Sequence, residues 1–120
     1  MYVVKRDQLP TANEFEGDDH GGLGVSFLLV DADPGGGPGL HQHEYAEVFI
    51  VLEGESTFIA GDEERQVSAG EIVVVPPNTP HRFANAGQDT LRQVDIHVSP
   101  RFVTEWLDDS DQVDAGPGRR

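Results

Sequence analysis

Three histidines and one glutamate stand at spacings that can build a metal site. The first cluster reads Gly35-x5-His41-x-His43-x3-Glu47-x6-Gly54, and the second reads Gly70-x5-Pro76-x-Asn78-x2-His81-x3-Asn85. Alternate residues of an extended chain share a face, so His41 and His43 point the same way, as do Glu47, Phe49 and Val51 farther on, and His81 with Phe83. The chain has no cysteine, which leaves nitrogen and oxygen as ligand atoms. Three imidazoles with one carboxylate suit Fe(II), Mn(II), Ni(II), Co(II) or Cu(II), and Zn(II) is possible. On an octahedral ion, four protein ligands leave two positions open for a chelating substrate, or for a substrate and dioxygen. A tetrahedral zinc site would be full. A lone histidine more often packs as a hydrogen-bonded ring, but the first cluster arises by chance on the order of once per million starting positions at average residue usage. It is therefore the conjunction that points to a metal.

Other residues weigh less. Gln93, Asp95 and His97 share one face of the last long strand, opposite Val94, Ile96 and Val98. They are expected as a solvent-facing polar stripe, with pocket-lining acid/base groups as the alternative. Phe49, Phe58 and Phe83 are expected in the core rather than as walls of a metal pocket, and His20 is expected on a surface loop. The glycines at 21–24 and around 35 lack the strand-then-helix context of a nucleotide loop.

The elements that must position these groups are short strands. An edge strand is expected at 2–6, an irregular stretch at 9–22 and a strand apolar on both faces at 24–30. Residues 31–39 are rich in Pro and Gly and form a loop. Strands then follow at 40–43, 46–52, 56–60, 65–67, 71–75, 81–85 and 91–98, with a rigid proline loop at 76–80. Turn signals at roughly 8–12-residue spacing mark an all-β sandwich or barrel. One short helix is predicted over 99–107, with Ser99 as N-cap, Pro100 as first helical residue and Phe102, Val103, Trp106 and Leu107 at helical spacing. Residues 108–120 are expected to form a disordered acidic tail, leaving one domain over 1–107.

Composition narrows the partners. With 8 basic against 22 acidic residues the formal net charge is −14, which repels phosphate backbones and anionic lipid, so neither nucleic acid nor a membrane surface is expected as a partner. No apolar run approaches the ~18 residues of a membrane helix. The N-terminus runs from apolar to basic, the wrong order for a secretory signal, and a cytoplasmic location is expected.

The two clusters resemble motifs 1 and 2 of the cupin superfamily. The first matches G-x5-H-x-H-x3,4-E-x6-G at Gly35, His41, His43, Glu47 and Gly54. The second matches G-x5-P-x-G-x2-H-x3-N at Gly70, Pro76, His81 and Asn85, and departs from it at Asn78, where the family has Gly. Asn is the residue next most tolerant of left-handed backbone, so the turn survives the change. The resemblance covers about residues 2–107, and the short segment between the motifs resembles that of small single-domain bacterial cupins. It implies a double-stranded β-helix, a jelly-roll barrel, with one divalent transition metal per chain held by His41, His43, Glu47 and His81. It also implies a homodimer, formed by trading N-terminal strands or by packing one sheet face on its twin. The favoured activity is a metal-dependent dioxygenase-type oxidation of a small organic substrate, with Glu47 as the ligand able to shift or act as base. A non-oxidative isomerase, lyase or cyclase, and a non-catalytic binding module, are the alternatives. A transcription regulator is not expected, for want of an attached DNA-binding domain. A metal-free epimerase-like cupin is not expected because all four ligand positions are filled.

Overall fold

The computed structural model describes residues 1–107, in which ten strands form two five-stranded sheets. The strands are β1 (Glu14–Phe15), β2 (Ser26–Ala32), β3 (His41–Gln42), β4 (Glu47–Glu53), β5 (Glu55–Ala60), β6 (Glu63–Ser68), β7 (Ile72–Val75), β8 (His81–Asn85), β9 (Leu91–His97) and β10 (Glu105–Trp106). One sheet has the order β1-β2-β9-β4-β7 and the other β10-β3-β8-β5-β6, with all pairings antiparallel. This is a jelly-roll sandwich of the double-stranded β-helix kind. Period-two alternation builds its interior: Leu28, Val30 and Ala32 of β2, Phe49 and Val51 of β4, Phe58 of β5, Phe83 of β8 and Leu91 of β9 are all buried. The three phenylalanines pack on one another with ring centroids 5.0–6.1 Å apart, as core residues do.

Two loops are fixed by backbone requirements. Asn78 has φ +59, the left-handed conformation its side chain tolerates, and its N–H donates to the His43 carbonyl at 2.7 Å. Gly37 passes so close to β8 that a Cβ there would lie 2.0 Å from the Phe83 carbonyl oxygen. Asn85, at the end of β8, is buried and locks the same region. Its amide donates to the carbonyls of Ala32 and Asp89 at 2.9 and 2.8 Å, and its oxygen accepts the Gly87 N–H at 2.8 Å.

The outer face of the first sheet is apolar across four strands. Register aligns Phe27, Ile96, Val48 and Val74 in one row and Leu29, Val94, Ile50 and Ile72 in the next. The N-terminal segment folds against the β2 end of this face, where Tyr2, His20, Phe15 and Phe27 stack in series. At the β7 end Ile72 and Val74 are 62% and 65% exposed.

Three expectations change. Residues 2–6 form no strand; a 3-10 turn occupies Arg6–Gln8 instead, and Arg6 reaches across to Ala12, Asn13 and Asp31. His20 closes a 3-10 turn and is half-buried in the aromatic stack, accepting the Tyr2 hydroxyl at 2.6 Å. The predicted helix over 99–107 is absent. The Ser99 hydroxyl bonds Arg101 locally instead of capping a helix. The chain then runs extended, and β10 pairs with the edge strand β3, with Glu105 opposite Gln42 and Trp106 opposite His41. The open edge of β3 outweighs local helical periodicity. The acidic tail expected at 108–120 lies outside the described residues. Among those described, no helix is long and apolar enough to cross a membrane.

Candidate metal centre

His41, His43, Glu47 and His81 come together between the two sheets. The second sheet supplies His41 and His81, directly opposite each other across β3 and β8, and His43 follows just beyond β3. The first sheet supplies Glu47 at the start of β4, where it pairs with Val75 on one side and His97 on the other. One ligand atom from each of the four lies within 4.8 Å of the others, and all four residues are at most 3% exposed.

The main chain sets the direction of the three imidazoles. His41 Nδ1 lies 2.7 Å from the Gly39 carbonyl, His43 Nδ1 2.9 Å from that of Val103, and His81 Nδ1 2.8 Å from that of Thr79. A carbonyl only accepts, so each Nδ1 carries the hydrogen and each neutral ring turns its Nε2 lone pair inward. His43 Nε2 and His81 Nε2 then sit 3.0 and 3.1 Å from the same oxygen, Glu47 Oε1. A lone pair facing a carboxylate at that distance is repulsive unless a cation or an extra proton lies between them. His43 Nε2 is one of two buried side-chain polar atoms without a hydrogen-bond partner among the described residues. The donor set therefore fits a divalent ion of borderline hardness.

Protonation states agree with that fit. Burial, reinforced by repulsion from His81 and His43, lowers the His41 pKa to about 3, so the ring is neutral and able to bind metal near neutral pH. For Glu47 burial pushes the pKa up, but the ring nitrogens of His43, His81 and His97, at 3.0–3.1 Å from its oxygens, outweigh it and hold the carboxyl well below its usual range. The ionised form is the one that binds a cation.

The polar stripe on β9 faces inward, contrary to the solvent-facing expectation. Gln93, Asp95 and His97 are 1–2% exposed and share the inner face with fully buried Leu91. β9 is a central strand between β2 and β4, and its apolar Val94 and Ile96 occupy the outer rows. Leu91, in phase with the three polar residues, was the available sign of their direction. Gln93 donates to Asp95 at 2.7 Å. Burial, with repulsion from Glu47, raises the Asp95 carboxyl well above its ordinary range. His97 places Nε2 3.1 Å from Glu47 Oε2, the carboxylate oxygen turned away from His43 and His81.

A family model described as Cupin domain matches residues 28–97, more than half of the chain. The chain belongs to the cupin family. This cupin is 30% identical to Auxin-binding protein 4 of Zea mays over 89 residues, covering 67% of the cupin and 44% of that protein. It spans less than half the length of most of the curated relatives it matches. Among solved structures, it is similar to an oxalate oxidase in complex with the substrate analogue glycolate, with a TM-score of 0.70, 27% identity, and coverage of 79% of this chain and 53% of that one. A double-stranded β-helix protein from Klebsiella pneumoniae gives a TM-score of 0.69 and covers 90% of this chain and 98% of that one; at 16% identity the likeness is one of fold.

The cupin's segment 102–106 runs along His41, His43 and His97, a role its sequence did not signal. Phe102 meets the His97 ring edge-on at 4.9 Å, and Trp106 lies 5.1 Å from His41. Between them, the Val103 carbonyl holds His43 and the Val103 N–H donates to the Tyr45 hydroxyl at 3.1 Å. Tyr45 itself stacks on His43, with ring centroids 4.9 Å apart and planes 11° from parallel.

Proposed function

We propose that this cupin is a metal-dependent enzyme acting on a small organic substrate, with dioxygenase-type oxidation as its chemistry. The observation that carries the reading is the convergence of His43 Nε2 and His81 Nε2 on Glu47 Oε1, with His41 in the same 4.8 Å cluster and His43 Nε2 without a hydrogen-bond partner among the described residues. Nε2 of His41, His43 and His81 and Oε1 of Glu47 would hold one divalent ion. When bound, that ion supplies Lewis acidity and, if redox-active, electrons for dioxygen. The chain's own residues do the rest. Three carbonyls fix the imidazoles, the closed interior excludes bulk water, and Glu47 is the ligand able to shift while the imidazoles keep the ion. Similarity to an oxalate oxidase supports oxidation and favours small carboxylates as first substrates to test.

Elemental analysis of protein from its native host, followed by oxygen-electrode assays of small hydroxy and keto acids in air and under argon, tests the reading. A redox metal with oxygen-dependent turnover is expected. Equal turnover without oxygen, or full activity with zinc, would replace oxidation by Lewis-acid isomerase or lyase chemistry. Wild-type metal content in His41→Ala and His81→Ala would refute the site.

The homodimer is proposed on the outer face of the first sheet. Two four-residue apolar rows in a chain of net charge −14 hold no carboxylate, so two copies can meet there without opposing their charges. Light scattering should give a dimer for wild type and a monomer for Val74→Glu. A monomeric wild type overturns it.

A further inference from the structure

Beyond the four ligand candidates, a fourth buried imidazole touches the other side of the carboxylate. The Val103 N–H donates to the Tyr45 oxygen at 3.1 Å, so the Tyr45 hydroxyl hydrogen is free to go to His97 Nδ1, 2.7 Å away. A neutral His97 that accepts at Nδ1 carries its hydrogen on Nε2, aimed at Glu47 Oε2 at 3.1 Å. Its tautomer is thus opposite to that of His41, His43 and His81, whose Nδ1 atoms face carbonyls. One oxygen of Glu47 is occupied by a donor, and the other is left toward the imidazole lone pairs.

We propose that His97 is a positioning residue for Glu47, held in its tautomer by Tyr45 and the Val103 main chain, and is not itself a metal ligand. The inference rests on the metal site proposed above. Ring packing supports the arrangement: His97 lies between Phe102, edge-on at 4.9 Å, and His43, at 4.6 Å, so it has little freedom to rotate toward the ligand cluster. The Val103 peptide serves both sides, its carbonyl orienting His43 and its N–H orienting Tyr45.

Two measurements test this. In metal-free protein, nitrogen-15 ring correlations should show His97 protonated at Nε2 and the three ligand candidates at Nδ1. Tyr45→Phe should shift His97 toward the Nδ1–H form while keeping the ring that stacks on His43. A wild-type His97 protonated at Nδ1 overturns the proposal. In Mn(II) titrations, His97→Leu should weaken binding on the order of 10–100-fold, as loss of an outer partner of a ligand does, and His97→Gln, which keeps a donor, should recover most of it. With Cu(II) as probe, the count of coordinated nitrogens by electron spin-echo spectroscopy should be the same in wild type and His97→Leu. Unchanged Mn(II) affinity in His97→Leu overturns the positioning role, and loss of one nitrogen makes His97 a ligand. Wild-type protein that binds neither ion removes the metal reading itself, whereas the tautomer result stands apart from it.

Discussion

Lowering the pH of the metal-free protein should remove stability contributed by His41, read as the difference between wild type and a variant lacking that ring. The folded state holds this ring near pKa 3, against an ordinary value of 6.5. The unfolded chain therefore binds a proton that the native chain refuses. Stability from this group is complete above about pH 6.5, falls as the pH drops toward 3 and is flat below that. At 1.36 kcal/mol per unit, moving from neutral pH to pH 4.5 costs about 2.7 kcal/mol, roughly a 10 °C drop in melting temperature for a domain of this size. Glu47 adds nothing in this window, because its depressed pKa costs stability only below about 4.5. Circular-dichroism melts of chelator-treated wild type and His41→Gln at pH 7.5 and 4.5 isolate the effect, since every other group is common to both. The variant is less pH-sensitive if the burial argument holds. Parallel loss of stability in the two proteins would refute it.

Other perturbations follow from the same structure. Asp95 has a folded pKa raised above its unfolded value, so its contribution is lost as pH rises; urea titrations should show Asp95→Asn gaining on wild type between pH 4 and 7. Asn78 occupies left-handed backbone at φ +59, so Asn78→Ala should lower stability by about 1 kcal/mol in thermal melts while Asn78→Gly stays near wild type. Gly37→Ala forces a Cβ to within 2.0 Å of the Phe83 carbonyl and should cost at least about 3 kcal/mol, read as a fall in the urea midpoint.

What could be read from the chain was what spacing controls. The two clusters announced the four side chains because covalent distance along a strand fixes which residues share a face, and the turns at Gly54 and Asn78 announced where strands end. The stripe at Gln93, Asp95 and His97 misled because polar residues were assigned to solvent, whereas β9 is central and both its faces are engaged. Residues 99–107 misled for a different reason. Their apolar positions satisfy a helical period, but the deciding partners, the β3 edge and the Nδ1 of His43, are distant in sequence and invisible to local propensity. Tyr45 and Val103 were missed on the same ground, since their role is a hydrogen bond between residues 58 apart in sequence.

That long reach has a consequence for the order of events in making the protein. His43 is steadied by a carbonyl 60 residues downstream, and the Tyr45 hydroxyl is met by an N–H 58 residues downstream. Synthesis delivers both histidine clusters well before Val103 leaves the ribosome. A growing chain that already carries every candidate ligand still lacks the peptide that aims one imidazole and steadies the carboxylate's outer partner. The full geometry of the candidate site is thus complete only after the last described segment has docked, so an ion that needs all of it would meet the folded barrel rather than the growing chain.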